Sequence, residues 1–467
     1  MGAIKHRKGH SHMTENKILL AFYGDDFTGS TDAMEAISKS GYRTVLFLKP
    51  PSKEMLGKFQ GISCIGVAGT SRAKSPEEME RELRPVMEKL ADSGARVIHY
   101  KTCSTFDSAP EVGSIGKAIE VSRDYFKEQK AIPLIVGAPQ LGRYTLFGNH
   151  FAQRGEEVYR LDRHPVMSRH PITPMAEADL RLHLSNQIEE KIGLVTIVEL
   201  EMDYSKIKEL YQAKIEEENN IILFDVLDEE RLEKASRLVW ETAKNTPQLV
   251  IGSSGVEYGL AAHWEESLEN SHKTALQNKS ILASDTILVV SGSASAVTKE
   301  QIEHAMENGF YGFKVPIEVL LGKEEIPRQF LKEPIERLQN GQSTILYTAL
   351  GPDDRAISET RNYLKQNGMA ISDSGDFIGK QLGRWTKYIM QKAKISRMVI
   401  AGGDTSGFVA REMEIYGLEM ILSVSPGAPL CTVYSENEEM NGSELALKGG
   451  QFGGVDYFNK VKDAATG

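Results

Sequence analysis

Short apolar, β-branched runs recur along this chain, and many close on a turn rich in glycine, serine or aspartate that opens a stretch of helical periodicity. Runs at 18–23, 97–100, 133–136, 194–200, 221–226 and 249–251 predict buried strands, and those at 286–290, 344–349 and 397–401 repeat the pattern. Between them lie helical spacings such as Met79, Leu83, Val86, Met87 and Leu90, where Pro85 predicts a kink. Such alternation constrains the chain to an α/β fold with largely parallel strands, because parallel neighbours need a helical crossover.

The alternation lapses after Leu260, where the polar stretch EESLENSHKTALQNKS has no sustained apolar face. A domain junction is predicted at 271–284, separating a domain at 14–270 from one at 285–467. The predicted architecture is therefore two domains, each built on a largely parallel sheet flanked by helices, with the active site in the cleft between them. Residues 1–13, rich in histidine and basic residues, read as a vector-derived leader outside the fold.

In open α/β sheets, ligands collect at the carboxyl ends of strands, where loops present backbone N–H groups and helix N-termini. The first such loop, GDDFTGSTDA, offers the carboxylates of Asp25 and Asp26, then Thr28, to a hydroxyl-rich ligand. Helix capping alone explains one acidic residue there, but less readily a pair. A second loop, YKTCSTFDS, places Lys101 near Ser104 and Asp107. A third region concentrates arginines, including Arg143 and Arg163, in a chain whose net charge is -10. Those cations suit a small anionic substrate, whereas the overall acidity disfavours nucleic acid and anionic membranes as partners.

The C-terminal half carries four small-residue loops. VVSGSAS contains Ser291 and Ser293, and AGGDTSG contains Gly402, Gly403, Asp404, Thr405 and Ser406. SPGAPLC reads as a flexible loop, and LKGGQFGG contributes Lys448, Gly449 and Gly450. Small residues let backbone approach phosphate oxygens closely, so this half is predicted to bind a nucleotide. No loop matches a Walker A or a G-x-G-x-x-G pattern.

In this order, DDFTGSTDA, VVSGSAS, AGGDTSG, SPGAP and KGGQFGG resemble the four-carbon acid sugar kinase family from about Ile18 to Phe458. The resemblance implies transfer of a phosphoryl group from ATP, with Mg2+, to a terminal hydroxyl of a small sugar acid. It implies that Asp25, Asp26 and Thr28 meet the acid, and that Ser293, Gly402, Gly403, Asp404, Thr405 and Gly449 meet ATP. Asp26 or Asp404 would orient or deprotonate the hydroxyl. Where many relatives read KxDSTLRG, this chain reads KTCSTFDS, with Cys103 in place of an aspartate. That departure points away from threonate, toward an oxo or branched acid such as 3-oxo-isoapionate.

Two other functions fit the strand, glycine-turn and helix units less well. A nucleotide-dependent dehydrogenase would need a dinucleotide fingerprint, and a non-catalytic sensor would not need carboxylates in both halves. Three widely spaced cysteines fit neither a disulfide framework nor a zinc site, and no apolar run approaches a membrane span, so a cytoplasmic location is expected. Metal ligands are not legible in the sequence. A homo-oligomer is compatible with it, although no heptad or apolar stripe marks an interface.

Overall fold

The computed structural model describes residues 18–466 except 171, 245, 268–272, 274–280, 323, 370–373 and the side chain of Asp404. The leader and most of the predicted junction therefore lie outside the described residues. The strands of the first half are β1 (Leu20–Gly24), β2 (Thr44–Phe47), β3 (Cys64–Ala68), β4 (Val97–Lys101), β5 (Ile132–Ile135), β6 (Arg143–Leu146), β7 (Asn149–Arg154), β8 (Glu157–Arg160), β9 (Ile192–Val195), β10 (Ile221–Phe224) and β11 (Gln248–Gly252). The second half adds β12 (Leu288–Ser291), β13 (Tyr311–Lys314), β14 (Thr344–Tyr347), β15 (Arg397–Ala401), β16 (Ile415–Ser425), β17 (Ala428–Ser435) and β18 (Glu444–Lys448).

Fifteen of these strands form one sheet in the order β13-β14-β12-β15-β18-β17-β16-β2-β3-β1-β4-β11-β5-β10-β9. The strands β1, β3, β4 and β12 are buried along their whole length, which is why their sequences are near-continuous apolar runs rather than alternating ones. Both halves are α/β with largely parallel strands. Their sheets join edge to edge, because β16 pairs with β2 through Gly417, Leu418 and Glu419 opposite Phe47, Leu46 and Val45. One hydrophobic cluster runs through the join and includes Phe22, Met34, Trp264, Val290, Met398 and Leu418.

The pairings β18/β17, β17/β16 and β16/β2 are antiparallel, so the parallel strands of the two halves run in opposite senses along the sheet. Six steps separate β15 from β1 in the sheet order. At about 20–25° of twist per step, they rotate the strand direction by roughly 120–150° and offset most of that reversal. The carboxyl-end loops of both halves can thus meet.

Several elements depart from the sequence reading. Val195 ends β9, and 199–201 turns into a short 3-10 helix instead of continuing the strand. The helix Pro76–Ala91 runs on through Pro85, with Ser75 and Glu78 forming a reciprocal cap and Met79, Leu83, Val86, Met87 and Leu90 buried. SPGAP is the tight turn of the β16–β17 hairpin, with Gly427 at φ +72°, where L-residues are disfavoured.

Candidate active site

The end of β1 delivers Asp25 and Asp26 to the start of the helix Phe27–Lys39. Asp26 is the cap of that helix, its Oδ1 accepting from the Gly29 N–H at 2.8 Å. Arg72, in a 3-10 turn beyond the neighbouring strand β3, ties the two carboxylates together. Its Nη2 and Nε donate to Asp25 at 2.7 and 3.2 Å, and its Nη1 donates to Asp26 Oδ2 at 2.8 Å. Burial raises the Asp25 carboxyl above its ordinary range, against the opposing charge of Arg72.

The parallel neighbour β4 ends at Lys101, paired in register with Gly24 of β1 and Gly252 of β11. Lys101 is 3% exposed, and its ammonium lies against Gly29, where a Cβ would collide with Lys101 Nζ and Asp26 Oδ1. Beyond it, Cys103 Sγ lies 3.0 Å from Thr105 Oγ1, which donates to Asp107 Oδ1 at 2.6 Å. Burial pushes the Cys103 thiol up to about 11, with the Asp107 charge adding to it. Asp107 is itself held below its usual range, because Arg72 and the Thr105 hydroxyl outweigh the opposing effect of burial.

The three-stranded sheet β6-β7-β8 attaches to this region through His150 Nε2, 2.8 Å from the Ser104 carbonyl. Arg143, at the start of β6, donates Nη1 to the carbonyls of Leu141, Gly142 and Gln153, and its Nε has no partner among the described residues. Arg163 is not brought into the cluster. It is exposed, at the end of a 3-10 turn, and its charge acts on Asp162, which also pairs with Arg160.

In the second half, β12, β15 and β18 end side by side. Ser291 Oγ accepts from Ser293 N at 3.3 Å, and Ser293 Oγ accepts from Ser295 N at 3.2 Å, so both hydroxyls shape the loop before the helix Ala296–Glu307. Gly402 has φ +134°, and a Cβ on Gly292 would stand 2.5 Å from Thr405 Oγ1. Ser406 Oγ donates to the Gly402 carbonyl at 2.5 Å. Asp404 is the second residue of the helix Gly403–Glu412, and its side chain is outside the described residues. Lys448 closes β18 rather than belonging to a free loop. It is 1% exposed and donates to Thr298 Oγ1 at 2.9 Å, and burial lowers its ammonium to about 7. The following loop is pinned by Thr298 Oγ1 and Ser295 Oγ, both donating to the Gly450 carbonyl.

The two clusters touch at Thr28. Its Oγ1 is 3.8 Å from where a Gly403 Cβ would be, and its Cγ2 is 3.2 Å from the corresponding point on Gly449. Asp25, Asp26, Thr28 and Lys101 therefore stand beside Gly402, Gly403, Lys448 and Gly449, with Ser104 and Arg143 on the side of the small sheet. Sequence reading missed Arg72. The run CIGVAGTSR, an apolar strand feeding a short polar turn, was the available signal. It also missed Asp32, one turn along the first helix, whose carboxyl is raised by burial against the charge of Lys101. Among the described residues no helix is long and apolar enough to cross a membrane.

Residues 20–260 match the model of a sugar-binding N-terminal domain, and 288–458 that of a nucleotide-binding C-terminal domain. The 3-oxo-isoapionate kinase of Paraburkholderia graminis is 41% identical over 96% of this chain and 94% of its own length. The 3-oxo-tetronate kinase of Pseudomonas savastanoi pv. phaseolicola is 27% identical over 96% and 98%. The solved structure of a Haemophilus influenzae protein superposes with a TM-score of 0.70 over 95% of this chain and 99% of that one, at 22% identity, and shares the fold. With both domain models matched and a kinase 41% identical over nearly its full length, the chain belongs to the four-carbon acid sugar kinase family.

Proposed function

We propose that this enzyme transfers the γ-phosphoryl group of ATP to a hydroxyl of a small oxo sugar acid, with 3-oxo-isoapionate the first substrate to test. The contact of Thr28 with the Gly403 and Gly449 loops carries this reading, since it sets the acid-side helix against the nucleotide-side glycines. The 41% identity to a 3-oxo-isoapionate kinase, against 27% to a 3-oxo-tetronate kinase, and the uncharged Cys103 support the choice of acid.

The nucleotide loops fit a polyphosphate. Gly450 allows approach where a Cβ would stand 2.9 Å from Ser293 Oγ, and Lys448 brings a buried cation to the same strand end. Among the described residues no three His, Cys, Asp or Glu side chains group to hold a metal. When bound, Mg2+ would supply charge neutralisation to the phosphates that these loops would hold.

Phosphoryl transfer requires alignment, neutralisation and exclusion of water more than covalent help. Gly402, Gly403, Thr405, Gly449 and Gly450 present backbone to the phosphates, and Lys448 regains its charge beside them. Both Asp26 oxygens already accept hydrogen bonds, which suits orienting the acid rather than taking its proton. Asp404, in the first turn of the helix opposite Thr28, is the proposed general base. Arg143 faces the acid from the small sheet. Three free cysteines support a cytoplasmic setting. ADP release measured with four- and five-carbon acids, with and without Mg2+, tests the reading, and binding of an acid without turnover would replace it with a sensor.

A further inference from the structure

We propose that Lys101 holds the transferring phosphoryl group rather than the carboxylate of the acid. This rests on the phosphoryl-transfer reading and names a catalytic residue which that reading does not assign.

Lys101 is 3% exposed, yet among the described residues its Nζ makes no hydrogen bond and no ion pair within 4.0 Å. A largely buried lysine whose ammonium has no hydrogen-bond partner among the described residues is open to an anion brought by a ligand. The nearby acids do not satisfy it. Arg72 engages three of the four oxygens of Asp25 and Asp26, and Gly29 N–H takes the fourth. Asp25 and Asp32 act on Lys101 only through space.

The ammonium lies against Gly29, in the first turn of the 13-residue helix Phe27–Lys39, whose N-terminus favours negative charge. Gly29 has no side chain to fill that space. The preceding residue, Thr28, is the one in contact with Gly403 and Gly449. Two anions come to this site, the acid's carboxylate and the phosphoryl group. The carboxylate has a separate cation in Arg143, which bonds only to carbonyls and stands with the small sheet. Lys101 stands one residue from the contact between the two clusters, where the phosphoryl group must pass.

In the step, the acceptor oxygen forms a bond to the γ-phosphorus while the bond from that phosphorus to the β,γ-bridging oxygen breaks. ADP leaves with the electron pair, and the hydroxyl proton passes to a carboxylate base. Lys101 remains protonated throughout and balances charge on the equatorial phosphoryl oxygens.

The test compares wild type, Lys101→Met and Lys101→Arg by initial rates and by binding of ADP with aluminium fluoride, a phosphoryl mimic, in the presence of the acid. The methionine variant is expected to lose kcat by about 10²–10³-fold, as for loss of one transition-state donor, with both KM values within about threefold. Arginine should restore part of kcat, and only wild type and Lys101→Arg should bind ADP more tightly when aluminium fluoride is added. A raised KM for the acid with kcat retained would assign Lys101 to the carboxylate and overturn the proposal. Unchanged kinetics would overturn it too. If Lys101→Met does not fold, Lys101→Arg decides by the same split between kcat and KM. Absence of ADP release by wild type with every acid tried would overturn both this proposal and the reading beneath it.

Discussion

Glu35, buried in the first helix, accepts a 2.7 Å hydrogen bond from the backbone N–H of Gly427, 392 residues away at the turn of the β16–β17 hairpin. The same carboxylate accepts from Ser423 Oγ at 2.5 Å. The ring of Phe452, in the loop after Lys448, packs where a Gly427 Cβ would be, at 2.8 Å. The acid-side helix thus braces a hairpin that supports the nucleotide-side loop.

Glu35→Ala leaves the buried Gly427 N–H without its acceptor and should destabilise the protein by about 1–3 kcal/mol. KM for ATP should rise more than KM for the acid, because the support lost is under Phe452. Urea unfolding and initial rates measure the two effects, and unchanged values of both would show that the bond is dispensable.

Arg72→Ala strands two adjacent carboxylates, one of them buried, and should cost on the order of 3 kcal/mol. Arg72→Lys should not restore the loss, since an ammonium cannot reproduce the three hydrogen bonds of the guanidinium fork. Denaturant midpoints of the three proteins decide this, and full rescue by lysine would contradict the geometry.

Lys448 makes stability depend on pH in a defined direction. Its ammonium titrates near 7 when folded and near the ordinary 10.5 when unfolded. Between those values the unfolded chain holds a proton that the folded chain lacks, so stability rises with pH across that window, by at most about 1.4 kcal/mol per unit. Lys448→Met should flatten this rise in the nucleotide-free protein. Phosphates favour the charged form, so ATP binding at pH 8 should take up a proton in wild type and not in the variant. Calorimetry in buffers of different ionisation enthalpy reads the uptake directly.

Gly402→Ala places a Cβ at φ +134°, a backbone region that side chains rarely adopt. It should cost about 1–3 kcal/mol and raise KM for ATP. Thermal unfolding with and without ATP checks both, and a fully stable variant with normal affinity would contradict the strained turn.

Much of this site was legible because each half presents its chemistry locally. DDFTGS follows a strand and opens a helix, as do GSAS and GGDTSG, and Lys101 directly follows the strand predicted at 97–100. Arg72 was not legible, since 46 residues separate it from Asp26 and only the parallel pairing of β1 with β3 brings them together. The continuous sheet was hidden for a similar reason. The sequence reading marks no strand at β16 or β17, only a flexible loop at 425–431, and β2, the partner of β16, is a run of just four residues. Arg163 stood out by composition, but charge density in a loop does not tell a ligand contact from a solvated face.

Initial-rate ADP release with ATP, Mg2+ and a panel containing 3-oxo-isoapionate, 3-oxo-tetronate and threonate tests the central claim most directly. The predicted result is acid-dependent turnover, highest with 3-oxo-isoapionate and depressed at least 10²-fold by Asp404→Asn. No acid-dependent ADP release with any member of the panel would contradict it.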